Sequence, residues 1–105
     1  MATMGQIREL QARAWKNKLA KGFNTTDVDR EFALTYGELA EAYETHRTAT
    51  GDTGSELADT AIYLMGLAQM LGCDLETEIL AKMEINQQRK YKTVNGHRVK
   101  EKQDE

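Results

Sequence analysis

Four carboxylates stand apart from the other acidic residues of this chain because of what surrounds them. Between Phe32 and Tyr43 the only charged residues are Glu38 and Glu41. Between Leu57 and Cys73 the only one is Asp59, with Glu56 just ahead of it. An ionised carboxylate in apolar surroundings is costly unless it is paired or bound to a metal. Glu38 and Glu41 are three residues apart, and so are Glu56 and Asp59. On a helix that spacing puts both members on one face, with Cβ atoms about 5–6 Å apart.

Such pairs on two neighbouring helices would form an all-oxygen cluster whose members repel one another. A divalent cation resolves the repulsion. Mg²⁺, with Mn²⁺ as the alternative, takes hard oxygen ligands and commonly works with carboxylates plus substrate phosphates. A cluster of this kind can hold nucleotide phosphates and activate water. The competing readings are structural. Spaced acids in a chain that is 30% charged often form a solvated helix face. Thr53-x-x-Glu56 also matches a capping box, in which Glu56 would close the start of a helix.

The elements that must position these acids are helical. The chain has no proline and few β-branched runs, and it is rich in Ala, Leu, Glu, Lys and Gln. Ile7, Leu10, Ala14 and Leu19 mark a first helix over about 6–20, closed by Gly22. Asn24, Thr25 and Thr26 offer N-caps for a second helix over about 27–47, with Asp27 and Asp29 at its positive end. Residues 48–54 read as a loop. A third helix over about 55–71 ends at Gly72. Asp74 caps a fourth over about 75–90, which has Glu76 and Glu78 in its first turn. Joined by a short loop, the second and third helices should run antiparallel and bring the two acid pairs together. The third helix is apolar nearly all round, so it is expected at the centre of a bundle.

Residues 1–92 read as one all-α, four-helix-bundle-like domain and residues 93–105 as a polar tail. In the tail Asn95-Gly96 is a turn or short hairpin signal. With 105 residues the core is thin, which favours a homodimer or homotetramer. No apolar run is long enough to span a bilayer, and the first ten residues show no secretory signal. A cytoplasmic location is the default. A formal charge of −3 gives no reason to expect a nucleic-acid partner. Cys73 is expected to be small and buried, Met65, Met70 and Met83 to be core, and His46 and His97 to be on the surface. Trp15 and Phe23 could stack on a base or pack in an interface.

Gly37-Glu38-Leu39-Ala40-Glu41-Ala42, then Glu56-Leu57-Ala58-Asp59 and Ile62-Tyr63-Leu64, resemble the MazG-type all-α nucleotide pyrophosphohydrolases. Leu71-Gly72-Cys73-Asp74-Leu75 and Lys82-Met83-Glu84-x-Asn86-x-x-Arg89 continue the likeness, which covers roughly 23–92. The resemblance implies Mg²⁺-dependent hydrolysis of a nucleoside triphosphate to the monophosphate and pyrophosphate, by water attack at the α-phosphorus. It implies a helical protomer that assembles as a dimer or tetramer. Glu38, Glu41, Glu56 and Asp59 would be the catalytic and metal-holding acids. Lys82, Asn86 and Arg89 match positions facing phosphates or sugar, and Tyr63 matches an aromatic position near the base. The chain departs from the pattern at Thr35, where many relatives carry a further metal-binding acid. Either Glu41 takes over that role or the cluster holds fewer metals. The alternatives are a catalytically weak nucleotide- or metal-binding relative, and a helical interaction module whose acids pair with bases such as Arg30, Arg47 or Arg89.

Overall fold

Three aspartates start three of the helices. Each sits in extended backbone and accepts a hydrogen bond from the N–H three residues on: Asp27 from Arg30 (3.1 Å), Asp52 from Ser55 (3.2 Å) and Asp74 from Thr77 (3.4 Å). This satisfies one of the donors that a helix start leaves open. The computed structural model describes residues 5–101. Its elements are α1 (Gln6–Ala20), α2 (Val28–Thr48), α3 (Thr53–Met70), α4 (Leu75–Gln88), β1 (Tyr91–Val94) and β2 (His97–Lys100). The chain is therefore mostly helical, with one small two-stranded sheet.

The helix ends follow equally local rules. Gly22 and Gly72 have φ of +70° and +72°, and each lies in a turn that folds back on the helix before it. Phe23 N–H donates to the Lys18 carbonyl at 3.0 Å and Cys73 N–H to the Ala68 carbonyl at 2.8 Å, the six-to-one bond of a Schellman motif. α2 ends in the same way, but there Ala49 takes the left-handed position, with φ of 55°. Residues 91–100 form an antiparallel hairpin, in keeping with the Asn95-Gly96 signal. Asn95 and Gly96 both have positive φ, as a two-residue type I′ turn requires.

α2 and α3 are joined by residues 49–52 and pack along most of their length. α1 packs on α3, whereas α4 makes its main contact with α1. Side chains stitch that last contact. Glu76 on α4 is buried, and its Oε1 accepts from the N–H groups of Ile7 (3.0 Å) and Arg8 (3.2 Å), so α4 caps the start of α1. Gln11 on α1 accepts from Leu75 N–H at 3.0 Å and donates to the Cys73 carbonyl at 2.9 Å.

Because the chain turns away at Gly72 to follow α1, one side of α3 has no neighbour among the described residues. The expectation of an α3 covered on all sides is not met: Leu57 and Ile62 are about half exposed (52% and 50%). Cys73 is exposed at the same corner, and Met83 on α4 is exposed, against the expectation that both are interior. The buried apolar residues among those described are Ala42, Leu67 and Ala68. The radius of gyration is 17.0 Å, where about 13 Å is usual for a compact chain of this length. Among the described residues no helix is long and apolar enough to cross a membrane.

Candidate metal centre

Antiparallel packing of α2 on α3 decides which acids meet. Glu38 lies midway along α2, and Glu56 and Asp59 lie on the first turns of α3. One carboxylate oxygen from each of these three comes within 4.8 Å of the other two. Octahedral coordination at 2.0–2.1 Å sets ligand oxygens about 2.9–4.2 Å apart, so small side-chain rotations suffice to enclose a cation. Glu38 and Glu56 are half-buried and Asp59 is exposed. The ion pairs formed among the described residues run to Asp74, Glu76, Glu31 and Glu44, and none reaches this cluster. The donor set is all carboxylate oxygen, the chemistry of a hard divalent cation rather than of a soft metal.

Electrostatics show the strain of the arrangement. The Glu38 carboxyl is pushed above its ordinary value, first by loss of solvent and then by the negative charges of Glu41, Asp59 and Glu56. Glu41 itself is exposed beside the triad and is not a member of it. Thr35, one turn before Glu38, donates its hydroxyl to the Glu31 carbonyl at 2.8 Å and so turns back onto its own helix.

Glu56 does not act as a capping-box residue of the kind Thr53 would need. The helix starts at Thr53, its cap is Asp52, and the Glu56 N–H donates to the Asp52 carbonyl at 3.2 Å. The Glu56 carboxylate is left for the cluster.

Tyr63 lies one turn beyond Asp59 on α3. Burial raises its hydroxyl pKa, and so do the charges of Glu38, Glu31, Asp59 and Glu41. It therefore stands between the acid triad and a second group of charges, further along the same α2–α3 groove. Lys82, Asn86 and Arg89 are not brought to the triad within one chain. They are on or just after α4, which follows α1; Lys82 and Asn86 are exposed, and Arg89 donates to Asn86 Oδ1 at 2.8 Å.

The second group of charges was not visible in the pattern of the sequence. Glu31 on the first turn of α2 is fully buried (0% exposed), and Lys18 near the end of α1 is almost so (9%). Lys18 Nζ donates to Glu31 Oε2 at 2.7 Å, and Asn24 Nδ2 donates to Glu31 Oε1 at 3.2 Å. Gly66 on α3 lies beside the lysine stem: a Cβ there would be in ordinary contact with Lys18 Cδ, at 3.5 Å. Glu31 is seven residues before Glu38, hence on the same face of α2, and that spacing is the one local hint.

Comparison of the chain with protein-family models, with curated proteins and with solved structures finds no match.

Proposed function

We propose that this protein is a MazG-like, Mg²⁺-dependent nucleoside triphosphate pyrophosphohydrolase. It would convert an NTP or dNTP and water to the monophosphate and pyrophosphate. The observation that carries the reading is the convergence of Glu38, Glu56 and Asp59 oxygens within 4.8 Å, without an ion-pair partner among the described residues. Order and spacing of ExxE, ExxD and KxxxNxxR in the sequence support the same family.

In this reading Glu38, Glu56 and Asp59 hold the metal. Bound there, Mg²⁺ supplies charge neutralisation on the phosphates and a more acidic water. Glu41 sits beside the triad and accepts the proton of the attacking water, a task that needs hydrogen-bond reach. The water oxygen forms a bond to the α-phosphorus. The bond from that phosphorus to the α–β bridging oxygen breaks, and pyrophosphate leaves with the electron pair. Tyr63 walls the groove on the nucleoside side. Apolar surface left open on α3 and α4 supports assembly with a second copy, as a dimer or tetramer. That copy's α4 would supply Lys82, Asn86 and Arg89. A cytoplasmic location goes with this role.

Thr35 favours a second reading. Its hydroxyl is committed to its own helix backbone, so the position contributes no ligand, and a cluster with fewer metals turns over slowly. Both readings are tested by one assay: canonical and damaged nucleoside triphosphates with Mg²⁺, scored for pyrophosphate and orthophosphate. Pyrophosphate release is expected. Asp59→Ala should reduce it about 100- to 1,000-fold, since a catalytic metal contributes several kcal/mol, while circular dichroism stays helical. Orthophosphate as the product, or undiminished turnover in Asp59→Ala, refutes the proposal. Nucleotide binding with negligible turnover selects the second reading.

A further inference from the structure

Beyond the acid triad, the α2–α3 groove opens into a cavity of 470 Å³. Lys18, Glu31, Leu34, Phe23, Tyr63 and Gly66 are among the residues that line it. Volumes of this order suit a small organic ligand, and such sites are mostly apolar with a few fixed polar groups that set orientation. Asn17, Asn24 and Arg30 line it as well, and Lys18 is the buried cation among its polar groups. Its ammonium has three N–H donors. Glu31 takes one at 2.7 Å, and the Tyr63 ring lies under the charge at 5.9 Å. Both Glu31 oxygens are already bonded, to Lys18 and Asn24, so it is a positioning residue that holds the ammonium in place. The group has little rotational freedom and retains donor capacity.

The two ends of the groove are matched in position. Glu31 precedes Glu38 by seven residues on α2, and Gly66 follows Asp59 by seven on α3. At 1.5 Å per residue each pair is separated by about 10.5 Å along its helix. Phosphates held at the acid triad would therefore leave the sugar near Tyr63, and the base edge farthest from the sugar would enter the cavity toward Lys18. That edge carries the O6 carbonyl of guanine or the O4 carbonyl of uracil and thymine. Adenine and cytosine present an amino donor at the corresponding place. A fixed N–H donor accepts the first set and repels the second.

We propose that the Lys18–Glu31 pair is a base-selecting device, and that this cavity takes keto-edged nucleosides (guanine, uracil or thymine) in preference to adenine and cytosine. The proposal rests on the nucleotide reading for the placement of the phosphates only.

The test uses nucleosides, with neither metal nor phosphate. The natural chain in EDTA is titrated with guanosine, uridine, adenosine and cytidine, and the Gly66 and Gly22 amide resonances report binding. Guanosine and uridine should bind about 5- to 150-fold more tightly than adenosine and cytidine, the range of one good polar contact. Lys18→Met alone strands a buried carboxylate and could unfold the chain. The informative variant is Lys18→Met with Glu31→Gln, which removes both charges and keeps an acceptor for Asn24. With circular dichroism unchanged, this variant should bind all four nucleosides equally. Three results would overturn the proposal: equal binding of the four by the natural chain, a preference that survives in the folded double variant, or displacement of nucleoside by pyrophosphate from the same amides, which would make the cavity a phosphate subsite. A protein that shows the preference but hydrolyses no triphosphate would remove the functional reading and leave this one standing.

Discussion

The α2–α3 groove carries charge at both ends, and the two ends are built differently. At one end Lys18, Glu31 and Asn24 close on themselves, and both Glu31 oxygens are bonded within the chain. At the other, Glu38, Glu56 and Asp59 face one another with like charge and no cationic partner among the described residues. The first is more deeply buried, yet every buried side-chain polar atom among the described residues has a partner. Burial is thus not what marks a group as waiting for a ligand. The mark is an imbalance of charge that the chain does not correct.

Removing one partner at the balanced end should have the largest effect on stability. Glu31→Ala leaves the Lys18 ammonium buried without its counter-charge, at a cost of about 3–5 kcal/mol. Thermal unfolding followed by circular dichroism should show a lower Tm, by the same amount with and without Mg²⁺. At the unbalanced end the expectation is reversed. Mg²⁺ at 100 times its Kd should stabilise the natural chain by about 2.7 kcal/mol, read as a rise in Tm. Asp59→Asn should abolish that rise while leaving the metal-free protein no less stable. Metal-independent stability in the natural chain would erase the contrast and favour an interaction module held by ion pairs.

A pH titration sharpens the comparison further. The Glu38 carboxyl is raised above its ordinary 4.5 by burial and by its acidic neighbours. Folding therefore favours its protonated form. That contribution is complete below pH 4.5 and is lost as the pH rises through the raised value. Asp74 behaves oppositely: its hydrogen bond from Arg8 lowers it below 3.8, so its contribution is present above that pH and is lost as the pH falls through the lowered value. In EDTA, Tm should decline as the pH is raised above 4.5, and Mg²⁺ should reduce the decline. The smallest effect belongs to a position outside both ends. Ala49 adopts the left-handed region at the end of α2, and Ala49→Gly should raise stability by about 1 kcal/mol, equally with and without metal.

Much of this was legible in the sequence because it is local. Asp74, Gly22 and Gly72 announce helix ends through their own backbone chemistry, and the Asn95-Gly96 turn needs only its two residues; the cap of α2, expected at Asn24, Thr25 or Thr26, is instead Asp27, whose side chain accepts from Arg30 N–H. The acids of the triad were legible through interruption: each breaks or borders an uncharged run. The start of α3 was missed because Asp52 and a Thr53-x-x-Glu56 box compete for one role, and the sequence alone does not weigh them. Glu31 was illegible as a buried group, since an acid in a first helical turn ordinarily serves the helix dipole in solvent. Its partner is on another helix, and the turn between α1 and α2, with Asn24 bonded to Glu31, brings them together. Cys73 and Met83 are exposed for a similar reason: the path of α4 along α1 is a long-range choice with no local sign.

The cap that Glu76 provides for α1 bears on the order of synthesis. The first turn of α1 is made early, but the carboxylate that satisfies its N–H groups lies 69 residues later in the chain. The Lys18–Glu31 contact, by contrast, spans 13 residues. A nascent chain can close its α1–α2 corner soon after α2 leaves the ribosome, while the beginning of α1 stays frayed until α4 has emerged. Order in the first turn of α1 is therefore a report that α4 has been made.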